Sequence, residues 1–197
     1  MVVDYNISNY KVYKMKIIVC IFNAIVCGVI LVGCSDNHDI EEKISSLQSQ
    51  PIKLCLDEMR CRNKYGDTVV VDSVKPRYRM VVYVDSSACS PYTLDKMFVW
   101  NESIKKARRQ DSMLKYVFIV APKPEQIEDA YLSIESNGLD SPVYVDTAYA
   151  FRKANPHLPD ERMYHSFLLD EKDSVVIVGN PIENPKIDSL INVIVYK

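Results

Sequence analysis

The sequence predicts an α/β fold in which a mixed sheet is flanked by helices. Residues 77–85 and 115–121 are apolar through their centres and rich in β-branched and aromatic side chains, as expected of strands buried on both faces. Between them, apolar residues recur at the three- and four-residue spacing of an amphipathic helix over residues 91–109. Right-handed crossovers in this order of elements would cover both faces of the sheet with helices.

The other predicted elements follow from turn and cap residues. Pro124 opens a helix that ends at Asn137, with Gly138 as its C-cap. Two strands with a charged turn between them form a hairpin near the end of the chain. The sequence thus predicts a strand over residues 142–146, a short helix over 147–154, hairpin strands over 165–170 and 174–179, and a last helix over 185–196.

The amino terminus has the pattern of a secretory signal peptide, predicted over residues 1–33. Residues 17–32 carry one polar side chain, Asn23, and no charge, and three lysines stand immediately before them. Met15 would begin a signal peptide of ordinary length and is an alternative start of the protein.

The apolar run ends in Leu31-Val32-Gly33-Cys34, which resembles the bacterial lipobox. Cys34 is therefore predicted to be the lipidated, palmitate-bearing first residue of the mature chain, with residues 34–48 as a polar tether. This implies a lipoprotein of the bacterial cell envelope, attached to the outer membrane by its lipid and facing the periplasm or the cell surface. The alternative is an uncleaved anchor helix, since ~18 apolar residues approach the length that crosses a bilayer.

Composition and charge exclude several classes of protein. The chain has 197 residues, of which 48% are hydrophobic and 25% charged, with a net charge of -2, as in an ordinary globular protein. Nothing in it suggests nucleic-acid binding, and the basic run over residues 105–109 is interpreted as a solvated helix end. Because no CxxC or HxxxH spacing and no glycine-rich phosphate loop is present, we expect no metal and no cofactor.

The most reactive position indicated by the sequence is Cys89. It follows the predicted strand over residues 77–85 and precedes Ser90, an N-cap candidate, and Pro91, a residue typical of the first helical turn. Backbone N–H groups and the helix dipole stabilise a thiolate at a helix N-terminus, which would lower the pKa of Cys89. Asp85, at the end of the strand, is interpreted as a turn residue, with proton acceptor as the alternative.

From about residue 74 onward the chain resembles the thioredoxin-like superfamily, in particular its membrane-anchored envelope lipoproteins. The resemblance lies in the strand and its cysteine-headed helix, in Trp100 within that helix, and in the hairpin that contains Phe167-Leu168-Leu169-Asp170. It implies an extension over residues 49–73 followed by a thioredoxin-like domain over residues 74–197.

Two positions depart from the pattern of that family. Its Cys-x-x-Cys motif is here Cys89-Ser90-Pro91-Tyr92, so that Tyr92 stands in place of the resolving cysteine. Tyr164 occupies the site of the family's cis-proline, where a cis bond without proline would cost ~3 kcal/mol, so this loop is expected to run trans. The resemblance also places His165 near Cys89, where a Cys–His pair would form; a histidine hydrogen-bonded to backbone is the alternative.

Three cysteines remain in the folded part of the chain. One interpretation is a Cys55–Cys61 disulfide with Cys89 as a free thiol. Another is exchange of Cys89 with Cys55 or Cys61, and a third is three inert or intermolecular thiols.

These observations lead to two functional hypotheses. The first is a noncatalytic or weakly redox-active binding module, held at the membrane by its lipid, whose partner is an envelope protein or peptide. The second is a monothiol–disulfide oxidoreductase or thiol sensor that uses Cys89.

Overall fold

The computed structural model describes residues 35–70, 76–109 and 114–196. The predicted signal peptide and the predicted lipidation site at Cys34 lie outside these residues. The chain divides into two compact units, residues 1–43 and 44–197. Helix α1 (Ser35–Gln48) begins in the first unit and ends in the second, and within the first unit Lys43 Nζ donates to Asp39 Oδ2 at 2.9 Å. Residues 35–48, which were expected to belong to a polar tether, are thus helical.

Among its described residues, the second unit is built on one mixed sheet of seven strands. The strands are β1 (Arg60–Asn63), β2 (Gly66–Asp67), β3 (Tyr78–Val84), β4 (Leu114–Val120), β5 (Val143–Val145), β6 (Ser166–Leu169) and β7 (Val175–Val178). Their order in the sheet is β2-β1-β5-β4-β3-β6-β7. β3, β4 and β5 run parallel, whereas β6 pairs antiparallel with β3 and with β7.

From residue 91 onward, the α-helices lie where the sequence predicted them, with small differences in their bounds. They are α2 (Pro91–Asp95), a 3₁₀ helix (Lys96–Trp100), α3 (Asn101–Arg109), α4 (Ile127–Ser136), α5 (Ala150–Ala154) and α6 (Pro185–Val195). The predicted helix over residues 91–109 therefore contains a 3₁₀ segment. The predicted fold class, a mixed sheet flanked by helices, is confirmed.

Alternate residues of the central strands pack into two different cores. Val82 and Phe118 belong to a first core, which is covered by α2, α3, α4 and α6. Val81 and Val117 belong to a second core, which also contains Leu47, residues of α5 and residues of the segment before β1, all from the second unit. Because successive side chains of a strand point to opposite faces, the two cores lie on opposite sides of the sheet.

The sequence did not predict that residues 49–73 contribute strands to the sheet. β1 pairs with β5, placing Cys61 opposite Tyr144, and β2 pairs with β1. The β1 sequence, Arg-Cys-Arg-Asn, lacks the apolar alternation of a typical strand. Its pairing is supported by Arg62, whose guanidinium donates to Glu135 at 2.6 Å and lies 4.0 Å from the Tyr131 ring centroid.

Among the residues that the structure describes, no helix combines the length and the apolar character that a membrane crossing requires.

Candidate functional site

The turn that follows β3 is organised by Asp85. Its Oδ1 accepts hydrogen bonds from Ser87 N at 2.9 Å, from Ser87 Oγ at 2.7 Å and from Ala88 N at 3.0 Å. Its carbonyl oxygen accepts from Cys89 N at 2.8 Å. A short side chain that accepts from backbone two or three residues ahead holds a tight turn, so the predicted turn role of Asp85 is confirmed.

A helix begins immediately after Cys89, as predicted. Ser90 has extended backbone and its Oγ accepts from Thr93 N at 3.3 Å, while Pro91 occupies the first turn. These contacts satisfy one free N–H group at the helix start and fix the direction in which the chain leaves Cys89.

The thiol of Cys89 is buried rather than activated. Cys89 is 2% exposed and belongs to the first core, together with Val84 and Leu94. Burial, with a smaller contribution from the negative charge of Asp85, raises the pKa of Cys89 to about 11. The lowered pKa expected from the helix N-terminus is therefore wrong, because loss of water around the thiolate outweighs the helix dipole.

Tyr92, which was expected to stand in place of a resolving cysteine, points into solvent. Its side chain is 69% exposed, and Lys96, one helical turn later, donates to its hydroxyl and lies 3.9 Å from its ring centroid. The hydrogen bond from Lys96 lowers the pKa of Tyr92. The residue thus offers an aromatic surface beside a positive charge and no redox chemistry with Cys89.

His165 is buried at the start of β6, with its two ring nitrogens facing oxygen atoms. Nε2 lies 2.9 Å from the Pro159 carbonyl oxygen, and Nδ1 lies 3.6 Å from Asp85 Oδ2. Burial lowers the pKa of His165, against the opposing effects of Pro159 and Asp85. The structure thus supports the histidine bonded to backbone over the Cys–His pair, since both nitrogens are directed at groups other than Cys89.

Tyr164 lies in a 3₁₀ turn (Arg162–Tyr164) and is 2% exposed, packed in the second core. The Met163–Tyr164 peptide is trans, as expected, and so is every other peptide bond in the described part of the chain. Tyr164 therefore contributes a buried ring to the second core.

Cys55, Cys61 and Cys89 carry free thiols in the structure. Burial raises the pKa of Cys55 and of Cys61. Both pack against the second core, whereas Cys89 lies in the first, on the other face of the sheet. The sheet thus separates Cys89 from the other two thiols, which disfavours exchange between them; the Cys55–Cys61 pairing stays a prediction.

The structural roles of two buried polar residues, Asp146 and Asn155, were not predicted from the sequence. The fully buried carboxylate of Asp146 accepts from Ala150 N at 2.8 Å and from Phe151 N at 2.9 Å at the start of α5. The fully buried amide of Asn155 bonds to the backbone of Lys53. An aspartate shortly before a helix was a signal for the first, whereas nothing local indicated the second.

Within residues 35–70, 76–109 and 114–196, no group of three or more His, Cys, Asp or Glu side chains could hold a metal ion. An open groove with a volume of ≈ 630 Å³ is lined by residues of α3 and α6, among them Lys106, Arg109 and Asp188, and by Pro181 and Ile182. None of the predicted site residues lines this groove.

Comparisons with known proteins find relatives only at the level of structure. No family model and no curated protein matches the chain. It is similar to a domain of a possible thiol-disulfide isomerase from Cytophaga hutchinsonii, at 14% identity over 69% of this chain and 86% of that one, with a TM-score of 0.41. An uncharacterized thioredoxin-like protein from Porphyromonas gingivalis matches at 15% identity over 70% and 87% of the two chains, also with a TM-score of 0.41.

A thiol-disulfide oxidoreductase from Bacteroides fragilis matches at 13% identity over 66% of this chain and 95% of its own, again with a TM-score of 0.41. These three are structures that the chain is similar to, at identities of 13–15% and with a TM-score of 0.41 in each case.

Proposed function

We propose that this chain is an envelope lipoprotein whose thioredoxin-like domain is a binding module with little or no redox activity of its own. The observation that carries the proposal is the state of Cys89, which is 2% exposed and has a pKa raised to about 11. With that pKa, only about one thiol in ten thousand is ionised at pH 7, and the thiolate is the species that attacks a disulfide.

A second feature supports the same conclusion. A dithiol enzyme releases its mixed disulfide by attack of a second thiol, and the residue three positions after Cys89 is Tyr92, which points into solvent. Cys55 and Cys61 lie on the other side of the sheet and are poorly placed to replace it.

The competing hypothesis, a monothiol oxidoreductase or thiol sensor, makes the opposite prediction for the same thiol. Turnover of insulin or glutathione disulfide by the full chain is compared with that of Cys89→Ser, with Cys55→Ser as a control of equal chemical change. The binding module predicts that all three proteins have the same background rate. A rate that is lost in Cys89→Ser and kept in Cys55→Ser would establish the enzyme instead.

We propose an envelope protein or peptide as the partner. Apolar side chains are exposed along the helical run that follows Cys89, with Tyr92 at 69%, Phe98 at 52% and Val99 at 42% exposure. Exposed apolar patches are typical of interaction sites. A photo-crosslinking amino acid at Phe98 should capture one discrete partner in cells, unchanged by Cys89→Ser, whereas the same group at exposed Tyr65 should not. Equal labelling from both positions would contradict a partner at this surface.

The lipid anchor is part of the proposal and has its own test. Labelled palmitate should be incorporated into the full chain, and Cys34→Ala should abolish incorporation while Cys27→Ala leaves it unchanged. Incorporation that survives Cys34→Ala would remove Cys34 as the lipidated residue and with it the outer-membrane attachment proposed here.

A further inference from the structure

One ring nitrogen of the buried His165 is hydrogen-bonded and the other is not. Nε2 lies 2.9 Å from the carbonyl oxygen of Pro159, and because a carbonyl can only accept, Nε2 carries a proton. In the neutral ring Nδ1 is then an acceptor. Nδ1 is buried and has no hydrogen-bond partner among the residues that the structure describes. Such a group is rare in folded proteins and costs free energy.

The group that faces Nδ1 is itself an acceptor. Asp85 Oδ2 lies 3.6 Å from Nδ1, while Asp85 Oδ1 is occupied by the N–H groups of Ser87 and Ala88. Two acceptors in contact repel each other unless one is protonated. Because Nδ1 is closed to solvent, a proton on Nδ1 is the smallest change that would turn this contact into an attractive one.

We propose that His165 is a proton switch for the turn that carries Cys89. Uptake of one proton at Nδ1 makes the ring an imidazolium, which donates to Asp85 Oδ2 and forms an ion pair with it. The pair joins the segment before β6 to the turn after β3. Since the same carboxylate holds Ser87 and Ala88 through Oδ1, protonation at His165 changes the hydrogen bonds of the turn itself.

The surroundings of the ring set the pH range of the switch. Charged groups that act on His165 are Asp85, Arg152 of α5, and Asp160 in the loop after it. Arg152 and Asp160 form an ion pair with each other, so their opposite effects on the ring largely offset. The ring centroids of Tyr83 and His165 lie 5.2 Å apart. The Tyr83 phenol stays neutral because burial raises its pKa to about 12.

Burial is the dominant influence and lowers the pKa of His165 from 6.5, so the proton is taken up on the acidic side of neutrality. Burial acts to raise the pKa of Asp85, but its hydrogen bonds from Ser87 and Ala88 and the charge of His165 outweigh this and lower it. The carboxylate therefore remains charged while the ring titrates, as an ion pair requires.

The experiment is an NMR titration of the isotopically labelled full chain in detergent micelles between about pH 4 and pH 8. The ¹⁵N shifts of the His165 ring should show the Nε2–H tautomer at the upper end and protonation of Nδ1 with a midpoint below 6.5. The backbone amide resonances of Ser87 and Ala88 should follow the same midpoint. The proposal would be overturned if the His165 ring did not titrate in this range. It would also be overturned if the amide shifts of Ser87 and Ala88 did not change with the midpoint of the ring.

Variants separate the switch from ordinary burial. In Asp85→Asn the midpoint of His165 should fall by about one pH unit or more, because the attracting charge is lost and the new amide can donate to the neutral Nδ1. His165→Gln should abolish the titration of the Ser87 and Ala88 amides, and His157→Gln should leave it unchanged. If His165→Gln fails to fold, Asp85→Asn still decides, since an unmoved midpoint would show that Asp85 and His165 do not act as a pair.

Discussion

The side-chain amide of Asn155 forms hydrogen bonds with both backbone groups of Lys53, 102 residues earlier in the chain. Nδ2 donates to Lys53 O at 2.8 Å, and Oδ1 accepts from Lys53 N at 2.9 Å. Nδ2 also donates to Phe151 O at 2.7 Å. The amide thereby supplies the polar contacts that a neighbouring strand would give, and it fixes the segment before β1 against the end of α5.

This pairing makes Asn155 a strong determinant of stability. Asn155→Ala should lower the free energy of unfolding by about 2–3 kcal/mol, because the N–H and C=O of Lys53 lose their partners in a part-buried position. Asn180→Ala is the matched control, since the Asn180 side chain accepts from the exposed N–H of Ile182, and should cost about 1 kcal/mol or less. Denaturant unfolding measures both, and equal losses would contradict the bridging role of Asn155.

Two glycines should respond differently to the same change. Gly179 has a φ of +131°, and an added Cβ would lie 3.1 Å from Ile187 of α6. Gly138 has a φ of +70° and open space around it. Gly138→Ala should cost about 1 kcal/mol through backbone strain alone, and Gly179→Ala should cost about 1–3 kcal/mol more. Thermal unfolding of the two variants tests this order, and a reversed order would contradict the close contact with α6.

Stability should fall as the pH is lowered from 7 towards 5. Burial lowers the folded-state pKa of His165 and of His157 from 6.5, so below that pH the unfolded chain binds more protons than the folded one. The contribution of the two neutral histidines to the free energy of unfolding is complete above pH 6.5. It is lost as the pH falls through their folded-state pKa values, by at most about 1.4 kcal/mol per pH unit for each histidine.

Urea unfolding at several pH values measures this dependence. His165→Gln should reduce the slope of the free energy of unfolding against pH, since this variant removes the more buried of the two rings. His157→Gln should reduce the slope less. A stability that rises on acidification would mean that the pKa of His165 is raised in the folded state.

The sequence predicted correctly those parts of the structure that depend on residues close together in the chain. The strand before Asp85, the turn that Asp85 holds, and the Ser90 cap with Pro91 are all local patterns, and the structure has each of them. The position of Cys89 at a helix N-terminus also predicted a lowered pKa for its thiol, and this prediction failed. The pKa of Cys89 depends on its burial in the core, which side chains distant in sequence create.

The rest of the site required the three-dimensional structure. Asp85 and His165 lie 80 positions apart, and their contact depends on the antiparallel pairing of β3 with β6. Strands β1 and β2 carry charged residues and gain their place from pairing with β5. Tertiary contacts of this kind leave no periodic signal in a single sequence.

The ionisation of Cys89 in the folded chain tests the central claim most directly. The rate of iodoacetamide labelling is followed between about pH 7 and pH 10 by mass spectrometry of the Cys89 peptide, with the Cys55 peptide as an internal reference. We predict a slow rate that still rises with pH at the upper end of the range, as a pKa of about 11 requires. A rate that reaches a plateau below about pH 8.5, the ordinary pKa of a thiol, would show an activated Cys89 and contradict the noncatalytic function proposed here.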